Sequence, residues 1–404
     1  MKRVLQIALG IVTSVGGFLE IGSIATAAQA GAAFGYRLAW SIVAGTVCIA
    51  FLLEMSGRFA ACSGRTIPDA LRERFGGPVY LTIVAVMCCV SILVLGAEIG
   101  GTAVALQLGT GIALRWWVAP MAVLAWFIVW RGTFGFIENG VSLLGLVTIV
   151  FVVAAVSGGP DYGALARGLV PRLPDHRPVH YWYVAVSVLG ASISPYLYYF
   201  YSSGAIEDKW NVGYLGINRW VAGIGMGFGG FLSVAVMVLA AIVLAPAGRE
   251  VQHYRDLSDL TTTVLGTPGF WLFVAALGIA CLGATLEIAL SLAYLLAQGL
   301  GWEWGEDMDP RRSARFSLTY TVIIAVAAVI VLAGADPLEL TNISMALTAA
   351  SLPVGVLPFL VLMNDSDYLG DHTNGPLGNA VVLVISVLTM VLGVISIPLQ
   401  LAGS

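Results

Sequence analysis

Charged side chains are scarce in this chain of 404 residues, where Asp, Glu, Lys and Arg together make up only 10%. Soluble domains contain about 25% of these residues. The hydrophobic fraction is 59%, more than a soluble core could hide. The formal net charge of -4 is small and gives no sign of nucleic-acid binding. A soluble domain and a nucleic-acid partner are therefore not expected.

Residues of catalytic and metal-holding types are also few. The five cysteines are odd in number and show no paired spacing, so we interpret them as packing residues. The four histidines lie in or near predicted loops and form no HExxH or serine–histidine pattern. The predicted loops are too short for an added soluble domain. We therefore expect no enzyme, no bound cofactor and no sensor with a soluble output domain.

Long apolar runs recur along the whole chain, and each can cross about 30 Å of hydrocarbon as a helix. We predict eleven such helices, numbered as spans 1 to 11 in chain order. They lie at about 4–34, 36–60, 78–108, 114–130, 138–157, 180–205, 217–246, 269–299, 316–334, 340–364 and 378–402. Residues 1–404 then form a single transmembrane transport domain.

The distribution of Lys and Arg predicts the orientation of the chain in the membrane. The loops on the side of the N-terminus are the more basic ones and include Lys2, Arg3, Arg72 and Arg74. Cytoplasmic loops carry the excess of basic residues. We therefore expect a multi-pass protein of the plasma (inner) membrane, with its N-terminus cytoplasmic and its C-terminus extracytoplasmic. We also expect a monomer.

Two spans carry the signals of a broken helix. In span 1, Glu20 lies at bilayer depth among glycines that weaken the helix. In span 6, Pro195 removes a backbone donor and would free carbonyls near Ala191. The breaks are five spans apart, as expected for an inverted repeat of spans 1–5 (4–157) and 6–10 (180–364) with a midplane site. The alternative is a packing carboxylate in span 1 and a simple kink in span 6.

Several motifs resemble those of the Nramp family of metal transporters. Residues 20–23 (EIGS), followed by FGY at 34–36, resemble the family's DPGN and FGY. Residues 97–103 (AEIGGTA) resemble AEVIGTA, and residues 190–196 (GASISPY) resemble GATVMPH. The resemblance extends over nearly the whole chain. It implies an all-α, LeuT-type 5+5 inverted repeat with spans 1 and 6 broken, plus an eleventh helix, and it implies transport of metal ions.

The resemblance also implies a binding site at the two breaks. The family's metal-binding aspartate, asparagine, methionine and alanine carbonyl correspond here to Glu20, Ser23, Ser194 and Ala191. Because the thioether is absent, these groups offer only hard oxygen, which suits Mg²⁺ or Mn²⁺ better than softer ions. This points toward the magnesium-carrying relatives, although these typically keep aspartate in span 1.

The residues that carry protons in the family are partly replaced. Its span 6 histidine is Tyr196 here, and its span 3 aspartate is Leu95. Tyrosine does not carry a proton near neutral pH as histidine does. Glu98 and Glu138 remain, and Glu98 is either part of a carboxylate pathway or a structural anchor. Asn342 in span 10 is a further polar candidate, and transport without proton coupling is expected.

The sequence therefore predicts a secondary transporter that moves divalent cations, Mg²⁺ or Mn²⁺ preferred, by alternating access. The alternative is a carrier of the same fold for a non-metal solute, such as an amino acid, an amine or a small anion like bicarbonate. Half-helix N-termini attract anions, which favours this alternative. The carboxylate of Glu20 favours a cation, because it would repel a negatively charged solute.

Overall fold

The computed structural model describes residues 20–131, 146–172, 176–305, 308 and 310–403. Within these ranges the chain consists of helices joined by short connections, and no strand occurs. The helices are α1 (Ile21–Phe34), α2 (Ala39–Ser63), α3 (Ile67–Thr110), α4 (Arg115–Arg131), α5 (Val150–Ser157), α6 (Tyr162–Gly168), α7 (Pro178–Ser192), α8 (Pro195–Glu207), α9 (Leu215–Trp220), α10 (Met226–Val243), α11 (Tyr254–Leu300), α12 (Ala314–Leu332), α13 (Pro337–Met363), α14 (Ser366–Leu369) and α15 (Pro376–Gly403).

Most of the predicted spans are seen as apolar helices. Seven helical segments of the described chain are long and apolar enough to cross a membrane: α2, α3, α9 joined to α10, α11, α12, α13 and α15. An eighth results if α5 and α6, bent by 116° with respect to each other, count as one span. The shorter helices α1, α4, α7 and α8 correspond to parts of spans 1, 4 and 6. Residues 1–19, in span 1, and residues 132–145, in span 5 and the connection before it, lie outside the described residues.

Span 6 is broken where the sequence predicts. α7 ends at Ser192 and α8 begins at Pro195. Between them, Ile193 (φ −119°, ψ 63°) and Ser194 (φ −70°, ψ 113°) leave the helical conformation. Pro195 takes the first position of α8, where its missing N–H is not needed. The last carbonyls of α7 and the first amides of α8 therefore lack intrahelical partners.

α3 and α11 share a bend that the sequence analysis did not anticipate. Each begins with a short helical segment that ends at a glycine of positive φ, Gly76 (79°) in α3 and Gly266 (68°) in α11. A proline follows two residues later in both, at Pro78 and Pro268. Glycine adopts this backbone conformation without a steric penalty, and proline is suited to restart the helix. The two helices form spans 3 and 8, so the repeated bend agrees with two related five-helix halves.

Close helix packing holds the broken spans in place. α3 and α11 pack along each other, while α1 packs on α10 and α7. An added Cβ at Gly31 of α1 would lie 2.1 Å from the carbonyl oxygen of Met237 in α10. An added Cβ at Gly190 of α7 would lie 2.1 Å from the carbonyl oxygen of Met345 in α13. Small residues thus bring α1 and α7 directly against neighbouring backbones, as is common between membrane helices.

We expect Gly31→Ala to lower the melting temperature of the detergent-solubilised protein, because the new methyl group would overlap the backbone of α10. Overpacking of this kind costs about 1–3 kcal/mol. The matched control is Gly227→Ala within α10, where an added Cβ meets nothing within 4 Å. Thermal unfolding followed by intrinsic fluorescence compares the two variants. Equal melting temperatures would contradict the tight packing of α1 on α10.

Candidate ion-binding site

Glu20 is the residue around which the candidate site is built. It is fully buried and precedes α1 in an extended conformation (φ −112°, ψ 175°). Its backbone N–H donates to Ser23 Oγ at 3.1 Å, and the Ser23 hydroxyl donates to the Glu20 carbonyl oxygen at 3.0 Å. This reciprocal pair closes the first turn of α1 and fixes the backbone from which the Glu20 side chain extends.

The break between α7 and α8 supplies the partners of the Glu20 carboxylate. The Ser194 hydroxyl donates to Glu20 Oε1 at 3.1 Å, and the Tyr196 hydroxyl donates to Glu20 Oε2. Ser194 Oγ also lies 3.5 Å from the carbonyl oxygen of Ala191 in the last turn of α7. These residues are all buried. The start of α1 and the break between α7 and α8, far apart in sequence, therefore meet side chain to side chain.

The candidate ligands provide oxygen atoms of three kinds. Glu20 offers a carboxylate, Ser194 a hydroxyl and Ala191 a backbone carbonyl, while the Ser23 hydroxyl is bonded to the Glu20 backbone. Oxygen ligands of these kinds suit hard divalent cations. Within the described ranges, no group of three or more His, Cys, Asp or Glu residues could hold a metal ion. A ligand set with a single carboxylate suits a transported ion, because such an ion has to be released again after it binds.

Glu98 lies at the start of α1 and belongs to α3. Its buried carboxylate accepts the backbone N–H of Ile21 at 3.1 Å and 3.4 Å. The thiol of Cys281 in α11 also hydrogen-bonds to this carboxylate. The first amides of a helix have no intrahelical partner and carry a partial positive charge, so Glu98 caps α1 from a neighbouring helix. Of the two roles considered for Glu98, this geometry supports the structural anchor.

Asn342, a further candidate, is not joined to this hydrogen-bonded group in the described structure. Asn342 is half-buried in α13, and its Oδ1 atom has no hydrogen-bond partner among the described residues. Glu138 lies outside the described part of the chain. Asn342 therefore stays a prediction as a polar residue near the pathway.

Met345 of α13 lies beside the site, and the sequence pattern favours packing over ion binding for it. It is 1% exposed, and an added Cβ at Gly22 would lie 2.7 Å from its sulfur. The thioether therefore rests directly on the first turn of α1. A methionine within a helix is usually a packing residue, and this contact is consistent with that role. The glycines at 22 and 190 make room for Met345 on two helices.

We expect Glu98→Leu to destabilise the protein by about 1–3 kcal/mol, because the buried N–H of Ile21 would lose its acceptor. Glu98→Gln should be less harmful, since an amide oxygen can still accept from Ile21. Melting temperatures of the purified variants measure the difference. An equal loss in both variants would contradict the capping role.

Comparison with known proteins agrees with the motifs. The sequence model of the family described as natural resistance-associated macrophage protein-like, Nramp, matches residues 10–398. The chain is 26% identical to the divalent metal cation transporter MntH of Aeromonas hydrophila over 380 residues, which cover 90% of this chain and 88% of that protein. It is 24% identical to MntH of Deinococcus radiodurans over 370 residues, covering 87% and 80% of the two chains.

Solved structures share the fold at low sequence identity. The manganese transporter of Eremococcus coleocola matches with a TM-score of 0.79 at 19% identity, over 99% of this chain and 87% of that chain. The nucleobase-cation-symport-1 transporter Mhp1 matches with a TM-score of 0.63 at 16% identity, over 97% and 90%. MhsT in complex with L-phenylalanine matches with a TM-score of 0.60 at 12% identity, over 96% and 97%.

The predicted all-α, LeuT-type fold is thereby confirmed. Because the family model covers nearly the whole chain, and the motifs at both breaks lie within the match, this multi-pass membrane protein belongs to the Nramp family.

Proposed function

We propose that this chain transports divalent cations across the membrane, with Mg²⁺ or Mn²⁺ preferred, and does so without proton coupling. The observation that carries the proposal is the meeting of the Glu20 carboxylate with Ser194 and Ala191 at the two helix breaks. The similar proteins from Aeromonas hydrophila and Deinococcus radiodurans are named as divalent metal cation transporters, which supports the same cargo here. The proposed function is transport alone and includes no enzymatic activity.

The preference for Mg²⁺ or Mn²⁺ follows from the chemistry of the ligands. A carboxylate, a hydroxyl and a carbonyl are hard donors, and hard donors favour Mg²⁺, Ca²⁺ and Mn²⁺ over thiophilic ions such as Cd²⁺. Mg²⁺ usually keeps several of its waters, so a small set of protein oxygens is enough to hold it. Mn²⁺ gains support from the fold shared with a manganese transporter.

The absence of proton coupling in this proposal rests on the residues around Glu20. Tyr196 stands where a proton-carrying histidine is expected, and its hydroxyl donates to the carboxylate. Leu95, buried on α3, carries no titratable group. Glu98 is engaged with the first amide of α1. In this proposal these residues carry no proton across the membrane, so the divalent cation is transported alone.

The proposed mechanism is alternating access. The broken spans, represented by α1, α7 and α8, rock against a frame that includes α3 and α11 and expose the site to one side at a time. The breaks provide both the ligands and the points of flexure. The N-terminus is cytoplasmic and the C-terminus extracytoplasmic in the plasma membrane, and the working unit is a monomer.

Uptake into proteoliposomes tests the proposal directly. We expect saturable uptake of Mn²⁺ and Mg²⁺, weaker uptake of Cd²⁺, and no accompanying change in internal pH. Glu20→Ala should reduce uptake by more than about tenfold, the lower end of what changes around metal ligands cause. Glu339→Gln is the matched control, because it removes a carboxylate that is exposed at the start of α13.

Three outcomes would count against this function. Absence of any divalent flux in the folded wild-type protein would favour the carrier of a non-metal solute. Equal uptake by wild type and Glu20→Ala would remove Glu20 from the site. Acidification of the vesicle lumen in step with Mn²⁺ uptake would contradict uncoupled transport.

A second experiment tests whether oxygen ligands alone select the ion. We expect Met345→Leu to leave Mn²⁺ uptake and the Mn²⁺ to Cd²⁺ ratio within about twofold of wild type, since the exchange conserves volume. The thioether then acts by filling the space over Gly22. Competition of Cd²⁺ with Mn²⁺ uptake measures the ratio, and a selective loss of Cd²⁺ competition would show that sulfur takes part in binding.

A further inference from the structure

Both oxygens of the Glu20 carboxylate accept a hydrogen bond from the same short segment. Ser194 donates to Oε1 and Tyr196 donates to Oε2, one on each side of Pro195. Glu20 is 0% exposed and Tyr196 is 3% exposed. The carboxylate is thus solvated by hydroxyl groups of the protein at a depth where bulk water is excluded.

An alternating-access carrier has to change its conformation in two states, once with the cation bound beside this carboxylate and once with the site empty. With cargo bound, the cation balances the negative charge. On the return step the site is empty, and a buried carboxylate without a partner is strongly unfavourable. A carrier that is not driven by protons therefore needs another group to stabilise the empty site.

We infer that the hydroxyl of Tyr196 takes the place of the cation in the empty carrier and so permits the return step. The inference rests on the transport function proposed above. When a cation binds Glu20 together with Ser194 and Ala191, the Tyr196 hydroxyl gives up its hydrogen bond to the carboxylate. When the cation leaves, the hydroxyl donates again. Tyr196 is thus a positioning residue for the empty site and not a ligand.

The backbone around Tyr196 suits this role. Its carbonyl oxygen accepts from the Ser291 hydroxyl of α11 at 2.8 Å, so the first turn of α8 is tied to the frame. Ser194 differs, because it lies in the non-helical break within 3.5 Å of the Ala191 carbonyl. A serine hydroxyl can rotate and present a lone pair to a cation, whereas the tyrosine hydroxyl is held at the end of a rigid ring.

Among the described residues around the Tyr196 hydroxyl, no positively charged side chain is placed to stabilise the Glu20 carboxylate of the empty site. The titratable side chains near this hydroxyl include the acidic groups of Glu20, Glu98 and Glu287. The thiol of Cys281, on the same helix as Glu287, is engaged with Glu98. These neighbours are acidic and not basic, so the hydroxyl donors are left to stabilise the Glu20 carboxylate.

The test separates net uptake from exchange, because exchange of cargo for cargo never uses the empty carrier. Proteoliposomes are loaded either with buffer or with unlabelled Mn²⁺, and entry of labelled Mn²⁺ is followed in both. For Tyr196→Phe we expect exchange to stay within about twofold of wild type and net uptake to fall by at least about tenfold. Tyr199→Phe is the matched control, since this buried tyrosine of the same helix does not hydrogen-bond to Glu20 in the described structure.

Wild-type net uptake by Tyr196→Phe would overturn the inference, and so would a parallel loss of net uptake and exchange in the folded variant. If Tyr196→Phe is not monodisperse, Tyr196→His decides the matter. The ring N–H of histidine can still donate, so the ratio of net uptake to exchange should stay within about threefold of wild type. A fall beyond that range would overturn the inference. Absence of divalent flux in the wild type would overturn the proposed function as well.

Discussion

The burial of one carboxylate between the start of α1 and the break that separates α7 from α8 is the constraint on which the rest of the structure depends. A charged Glu20 at the middle of a membrane protein is strongly unfavourable unless polar groups surround it. Regular helices cannot provide such groups, because their amides and carbonyls are already paired. The break at Ile193 and Ser194 and the start of α1 resolve this conflict, since they bring hydroxyl groups to the carboxylate and leave the Ala191 carbonyl nearby.

The two breaks also have to be stable as structure. The start of α1 is closed by Ser23 and capped from α3 by Glu98, which accepts the amide of Ile21. The start of α8 is tied to α11 through Ser291. The first amide of α1 is thus satisfied by the frame helix α3, and the first turn of α8 is held to the frame through its Tyr196 carbonyl.

The two long helices that frame the site, α3 and α11, contain the same kind of bend. α3 and α11 both bend at a glycine of positive φ that is followed two residues later by proline. Each bend lets a short helical segment turn away from the long spanning part that carries Glu98 or Cys281. Because these helices are five spans apart, one local solution appears once in each half of the molecule, and the site lies where the halves meet.

The sequence by itself determined the class of the protein, its helical spans, the break at residues 190–196 and the family, because apolar length, proline and short motifs act locally. It also named Glu20, Ser194 and Ala191. Only the tertiary structure decided that Tyr196 reaches Glu20, that Glu98 caps Ile21, and that Met345 covers Gly22. These contacts join helices that are distant in sequence, so they depend on how the helices pack and rotate, which no local pattern records.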